Sequence, residues 1–156
     1  MLLILLFSPE VAIDLNTIRK EYELAANDEE VAKTLLSKLT NQAHRSTTVL
    51  GYKGAVTMMM AKFHYNPLTK LDYFNSGKTL LEDAITKDRY NIELIFLRFT
   101  VQSNAPVFLD YRNQLNKDKY FLLSHLSLVK DADLKRRIQL FLKSSPYLSN
   151  DERNRI

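Results

Sequence analysis

The stretch from 46 to 102 constrains the fold most, because it contains three apolar segments that are separated by residues favouring turns. The first break is at Asn66-Pro67, where a helix must end, since the residue before a proline is pushed away from helical backbone angles. The second break is at residues 88–91, where polar residues interrupt the apolar pattern. This spacing predicts three packed helices, with the rest of the chain forming further helices against them.

Residues that favour turns are scarce elsewhere in the chain. The 156 residues include only 3 glycines and 4 prolines, whereas a sandwich or barrel needs a turn signal roughly every 8–12 residues. Leucine, alanine, lysine, glutamate and methionine are abundant, and these residues favour helices. We therefore expect an all-α protein of about six or seven helices. Its antiparallel helical hairpins would form either a short stacked array or a right-handed bundle.

The chain length fits a single domain, which we place at residues 14–148. Residues 149–156 are polar and are expected to fray. Residues 1–13 begin with an apolar run that is too short to span a bilayer. They are either the remnant of a secretory leader, with Ala12 as its last residue, or a packed N-terminal segment. The sequence thus leaves export, or a periplasmic location, as open as a cytoplasmic one, and it predicts no membrane span.

Capping residues and apolar spacing locate the individual helices. The residues predicted to cap helices are Asp14 or Asn16, Asn27 or Asp28, Ser46 or Thr47, Asn116, and Asp131 or Asp133. The helix after Pro67 is predicted to bury Leu68, Leu71, Phe74, Gly77, Leu81 and Ala84. The helix that begins near Asn116 is predicted to bury Tyr120, Leu123, Leu126 and either Leu128 or Val129.

Small residues in the central stretch predict close contact between helices. A glycine costs about 1 kcal/mol relative to alanine inside a helix, so its presence there needs a packing reason. We expect Gly51, Gly54, Gly77 and Ala84 to mark positions where helix backbones approach each other.

The spacing of Gly77, Leu81 and Ala84, followed by Asp88 and Asn91, resembles the second helix of a tetratricopeptide repeat. The pair Leu50-Gly51, with Gly54 three residues later, is similar to the first helix of that repeat. The resemblance covers residues 46–102 as one partial, atypical repeat. It implies a TPR-like helical array that binds a protein or peptide on a concave face lined by first helices.

Reactive residues do not form a recognised motif in this chain. There is no cysteine, and His44, His64 and His125 are isolated from any pattern of metal ligands. The run Ser76-Gly77-Lys78-Thr79 ends like a phosphate-binding loop, but Asp72 replaces the first glycine and the segment is predicted to be helical. We predict no catalytic residue, metal site or cofactor, and a protein that is not an enzyme.

The positive charge is spread along the chain. The net charge is +4, yet residues 10–30 are mainly acidic and residues 31–60 contain bases without acids. The basic run at 135–137 is short, and such a run is usually the solvated side of a helix. A nucleic-acid partner is therefore not expected.

Aromatic and polar residues surround the first break and form the candidate interaction surface. They are Tyr52, His64, Tyr65, Asn66 and Tyr73. Aromatic rings with polar tips are common in recognition surfaces, although the same residues also serve as packing between helices. The sequence favours a non-enzymatic interaction domain with an unidentified protein or peptide partner. The alternatives are a small-ligand-binding or enzymatic bundle with its site near His64, and a structural subunit that associates with itself as a homo-oligomer.

Overall fold

The computed structural model describes residues 14–43 and 46–156, and this part of the chain is all-α without strands. Its eight helices pack as antiparallel neighbours, and seven of them are longer than one or two turns. The predicted leader or packed segment at 1–13 and the isolated His44 lie outside the described residues. The helices are α1 (Leu15–Ala25), α2 (Glu29–Gln42), α3 (Thr47–Met60), α4 (Pro67–Lys87), α5 (Ile92–Asn104), α6 (Leu115–His125), α7 (Ala132–Ser144) and α8 (Asn150–Asn154).

Side-chain caps start most of these helices. The carboxylates of Asp14, Asp28 and Asp131 accept hydrogen bonds from backbone N–H groups in the first turns of α1, α2 and α7. The hydroxyl of Ser46 does the same for α3. Such caps satisfy N–H groups that have no partner within the helix. Each of the four predicted pairs of alternatives therefore contains the residue that caps the helix.

Helices α3 and α4 approach each other most closely where Gly54 faces Gly77. A Cβ atom added to Gly54 would lie 2.6 Å from the backbone nitrogen of Leu81 and 2.7 Å from the carbonyl oxygen of Gly77. A Cβ atom on Gly77 would overlap the carbonyl oxygen of Gly54. The predicted close approach of backbones is confirmed at these two glycines. Gly51 differs, because an added Cβ atom there would meet the side chain of Leu94.

Helix α5 supplies much of the core between the N-terminal and C-terminal halves. Phe96 and Phe99 both meet the ring of Phe141 in α7 edge-on, with ring centroids 5.7 and 5.9 Å apart. Edge-on aromatic pairs add stability beyond the area that they bury. Aliphatic side chains from six helices are also fully buried: Ile18, Leu35, Leu39, Leu81, Leu94, Leu97, Leu122, Ile138 and Leu142.

The predicted start of α6 is wrong, and its predicted buried face is correct only in part. The helix begins at Leu115, so Asn116 lies inside it, and Tyr120 is 60% exposed. Leu126 is buried and Leu123 packs against the core, as predicted, but the buried face also contains Leu115, Asp118 and Leu122. The apolar pattern was misleading because a carboxylate, Asp118, occupies the centre of this face.

The first two turns of α4 also differ from the prediction. Leu68 and Leu71 are 73% and 43% exposed, whereas Phe74 and the later members of the predicted face are buried. On this side, no described helix covers the beginning of α4. Two leucines predicted to lie in the core are therefore on the surface.

The tail predicted to fray contains the short helix α8. Ser149 and Glu152 form a reciprocal capping box at its start. Glu152 also pairs with Lys119 of α6 at 3.0 Å. These contacts connect residues 149–152 to the preceding helices.

Gln102 is a polar residue in the core, and its lack of hydrogen-bond partners predicts a stabilising substitution. Its side chain is fully buried, and neither Nε2 nor Oε1 has a hydrogen-bond partner within the described residues. A buried amide without partners costs about 1–3 kcal/mol, and methionine has a similar length and no such groups. We expect Gln102→Met to raise the free energy of unfolding by about 1–2 kcal/mol in urea denaturation. Gln139→Met, at a half-buried position of α7, is the control, and a loss of stability in Gln102→Met would contradict the prediction.

Candidate functional site

The guanidinium of Arg19 is the centre of a buried ionic cluster that connects four helices. Its side chain is 2% exposed, and its Nε and Nη2 donate to the two carboxylate oxygens of Glu93 at 2.7 and 2.8 Å. Its Nη1 donates to Asp131 at 2.8 Å. The hydrogen bond with Glu93 raises the pKa of Arg19 above its usual value. These contacts join α1 to α5 and to the start of α7, and each of the charged groups has a hydrogen-bonded partner. Helix α3 contributes the fourth connection through Tyr52.

Tyr52 belongs to the same cluster and not to a surface. It is 2% exposed, and its hydroxyl donates to Oε1 of Glu93 at 2.8 Å. Burial raises the pKa of Tyr52 well above its usual value, so the phenol stays protonated as a donor. Of the five residues predicted to form an interaction surface, Tyr52 therefore lies in the core.

A second buried cluster connects α4, α5 and α6. Arg98 donates from Nε and Nη2 to the two oxygens of Asp118, both at 2.7 Å, and from Nη1 to Glu82 at 2.9 Å. The hydroxyl of Tyr111 donates to Glu82 at 2.5 Å. Burial raises the pKa values of Asp118 and Tyr111. These side chains are partnered with one another, which fits a role in holding the helices together.

The lowered pKa of Asp133 predicts how the stability of the fold depends on pH. The hydrogen bond from Arg137, at 2.7 Å, lowers the pKa of Asp133 from 3.8 to about 2. Because the folded-state pKa is below the unfolded value, this pair stabilises the fold above about pH 4, and the contribution is lost as the pH falls towards 2. We expect Asp133→Asn to flatten the fall of the free energy of unfolding between pH 4 and 2, measured by urea denaturation. A slope equal to that of the wild type would contradict this assignment, and Asp83→Asn on α4 is the control.

His64 and Tyr73 come together beside a cleft. Their rings stack with centroids 4.6 Å apart and an angle of 16° between the planes. The cleft is open to solvent, has a volume of about 350 Å³, and lies between α2 and the corner that joins α3 to α4. Its lining consists of Lys33, Leu36, Ser37, Thr40, Asn41, Met60, His64 and Tyr73. The sequence placed His64 and Tyr73 near the break, and the structure brings both into one wall of this cleft.

Tyr65 and Asn66 follow His64 on the surface of the corner. Tyr65 is 100% exposed. Asn66 caps α4, because its Oδ1 accepts from the backbone nitrogens of Leu68 and Thr69 at 2.8 and 3.3 Å. The exposed side chains of Tyr65, Leu68 and Leu71 make up the corner patch. Asn66 fixes the start of α4 and so determines where these three side chains project.

The α2 side of the cleft was not identified from the sequence. Ser37, Thr40 and Asn41 are exposed and lie three and four residues apart, so they share one face of α2. The spacing is visible in the sequence, but exposed polar faces have the same pattern in most helices. Only the fold shows that this face is opposite Tyr73.

Residues 14–43 and 46–156 contain neither a group of potential metal ligands nor a helix that could span a membrane. No three His, Asp or Glu side chains come together there as a set of metal ligands. His125 stacks on Phe121, with ring centroids 4.1 Å apart. None of the helices in this part of the chain is both long and apolar enough to cross a membrane.

Comparison with known proteins gives no family assignment. No protein-family model matches the chain, and neither the curated proteins nor the solved structures include a significant match.

Proposed function

We propose that this protein is a non-enzymatic helical domain that binds a protein or peptide at the α3–α4 corner. The observation that carries the proposal is the corner patch, in which Tyr65 is 100% and Leu68 is 73% exposed next to the chain segment that lines the cleft. Large apolar side chains that are grouped on a surface mark interaction sites more often than isolated ones do. Tyrosine is also enriched among the residues that contribute most to binding.

A TPR-like arrangement of helix pairs is part of the same proposal. It is supported by the antiparallel pairing of α3 with α4 and by the contact between Gly54 and Gly77. In such arrays, small residues let paired helices approach closely, and the surfaces between pairs bind extended ligands. The cleft between α2 and the α3–α4 corner would correspond to a surface of this kind.

Binding is favoured over catalysis by the lining of the cleft. Its described residues include no aspartate or glutamate, so His64 has no carboxylate beside it there. A general base usually needs a neighbouring group that orients it or shifts its pKa. The alternative of an enzymatic or small-ligand site near His64 would need a partner group that this lining does not supply.

A selection from a random peptide library tests the proposal. The library is displayed on phage, selected on the purified wild-type protein and depleted on the Tyr65→Ser/Leu68→Ser variant. We expect a family of peptides that bind the wild type at least about tenfold more tightly than this variant, a difference of about 1.4 kcal/mol. Leu140→Ser is the matched control, because Leu140 is an exposed leucine, 56% accessible, on the separate helix α7. A selection that enriches no such family would overturn the proposal.

Self-association through the corner patch is the other interpretation of the exposed apolar side chains. Analytical ultracentrifugation distinguishes the two. A dimer that becomes monomeric in Leu68→Ser, and remains dimeric in Leu140→Ser, would identify a second copy of the chain as the partner.

A further inference from the structure

Resting on the proposed function, we infer that the cleft beside His64 binds one uncharged aromatic side chain of an extended peptide segment. The inference goes beyond the corner patch, because it assigns the anchor of the partner and the groups that hold it.

The apolar wall of the cleft fits a ring. Leu36, Met60 and Tyr73 contribute apolar surface, and the ring of Tyr73 is already held in position by its stacking on His64. Aromatic rings pack well against other rings, and a methionine sulfur adds a favourable contact at the edge of a ring. The volume of about 350 Å³ is at the lower end of the range for small-ligand pockets, which is roughly 300–1,000 Å³. A cleft of this volume can hold one large side chain but is too small for the face of a helix.

The α2 wall supplies hydrogen bonds for the backbone of an extended segment. Thr40 already donates its hydroxyl to the carbonyl oxygen of Leu36 at 2.8 Å. The side chains of Ser37 and Asn41 make no hydrogen bond to other described residues, and the amide of Asn41 offers both a donor and an acceptor. Extended peptides are commonly held in this way, with main-chain hydrogen bonds for affinity and a pocket for one side chain.

The described residues of the lining offer no unpaired charge, and this favours an uncharged side chain as the anchor. Lys33 is the lysine in the cleft, and its ammonium pairs with Glu29 and Glu30 at 3.0 Å each. A charged side chain placed against the apolar wall of the cleft would lose part of its hydration without meeting an unpaired opposite charge, which is unfavourable. A neutral aromatic ring carries no such cost.

The test uses single amino-acid amides as minimal anchors. N-acetyl-phenylalanine amide, N-acetyl-lysine amide and the α-amide of N-acetyl-aspartate, which keeps its side-chain carboxylate, are titrated into the ¹⁵N-labelled full chain and followed by NMR. We expect the phenylalanine amide to shift the backbone signals of Leu36, Thr40 and Tyr73, with affinity at least about tenfold higher than that of either charged amide. Ser37→Trp, on the exposed face of α2, should fill the cleft and abolish these shifts, whereas Leu140→Trp should not.

Two outcomes would overturn the inference. The first is equal affinity for the charged and aromatic amides, and the second is binding that persists unchanged in Ser37→Trp. Failure of the inference is distinguishable from failure of the proposed function. Peptides selected from the library that lose affinity in Tyr65→Ser/Leu68→Ser but not in Ser37→Trp would retain the function and remove the anchor site. An empty library selection, together with specific binding of the phenylalanine amide, would remove the function and retain the anchor site.

Discussion

Gly77→Ala should lower the free energy of unfolding by about 3 kcal/mol in urea denaturation. The added methyl group would overlap the carbonyl oxygen of Gly54 and lie 2.6 Å from the backbone nitrogen of Met58. Both atoms belong to the backbone of α3, so neither can move without shifting the helix. The direction of the effect is diagnostic, because alanine normally stabilises a helix interior by about 1 kcal/mol relative to glycine.

Two controls separate backbone contact from general sensitivity of these helices. Ser76→Ala changes an exposed neighbour in α4 and should change stability by less than about 0.5 kcal/mol. Gly51→Ala places its methyl group against Cδ2 of Leu94, which is the end of a side chain and not a backbone atom. It should therefore cost less than Gly77→Ala. If Gly77→Ala instead proved as stable as the wild type, α3 and α4 could not be in backbone contact at this point.

The helical fold was predictable because its determinants are local. Asp14, Asp28, Ser46 and Asp131 cap helices through hydrogen bonds to backbone groups only two or three residues away. The spacing of Gly54 and Gly77 also had a local signal, since glycine is unfavourable inside a helix unless something approaches it. The sequence therefore located most helices and their closest contact.

The buried charges were not predictable from the sequence. Arg19 and Glu93 are 74 residues apart, and nothing in the local pattern of either helix indicates that they pair. An arginine or aspartate in an amphipathic pattern is normally assigned to the solvated face. Asp118 shows the consequence, because it is buried beside Arg98, whereas Tyr120, which was predicted to be buried, is exposed.

The candidate site was predictable only in its α3–α4 half. His64, Tyr65 and Tyr73 lie close to the helix break in sequence, so their proximity in space followed from the turn at Pro67. Tyr52 lies farther from the break in sequence, and the side of α3 on which it lies faces Glu93. The half contributed by α2 depends on how the first hairpin packs against the second, and this is a tertiary contact without a local signal.

Glu93→Leu is expected to lower the free energy of unfolding by about 3–5 kcal/mol. It removes the carboxylate that accepts two hydrogen bonds from the buried guanidinium of Arg19. The contact of Arg19 with Asp131 remains, but Asp131 is 45% exposed and compensates only in part. The phenol of Tyr52 would also lose its acceptor. The exposed pair of Asp83 with Lys87 is the control, and Asp83→Asn should cost less than about 1 kcal/mol.

The triple variant Arg19→Met/Glu93→Leu/Tyr52→Phe should recover most of the stability that Glu93→Leu loses. Apolar residues of similar volume often replace a buried ionic cluster without a net cost, whereas the removal of one member leaves an unpaired charge. Urea denaturation of the single, double and triple variants gives the coupling free energy between Arg19 and Glu93 as a cycle. A triple variant that is no more stable than Glu93→Leu would contradict this expectation. In that case Asp131 and Asp133, at the start of α7, would be the partners that depend most on Arg19, because the triple variant removes their cation.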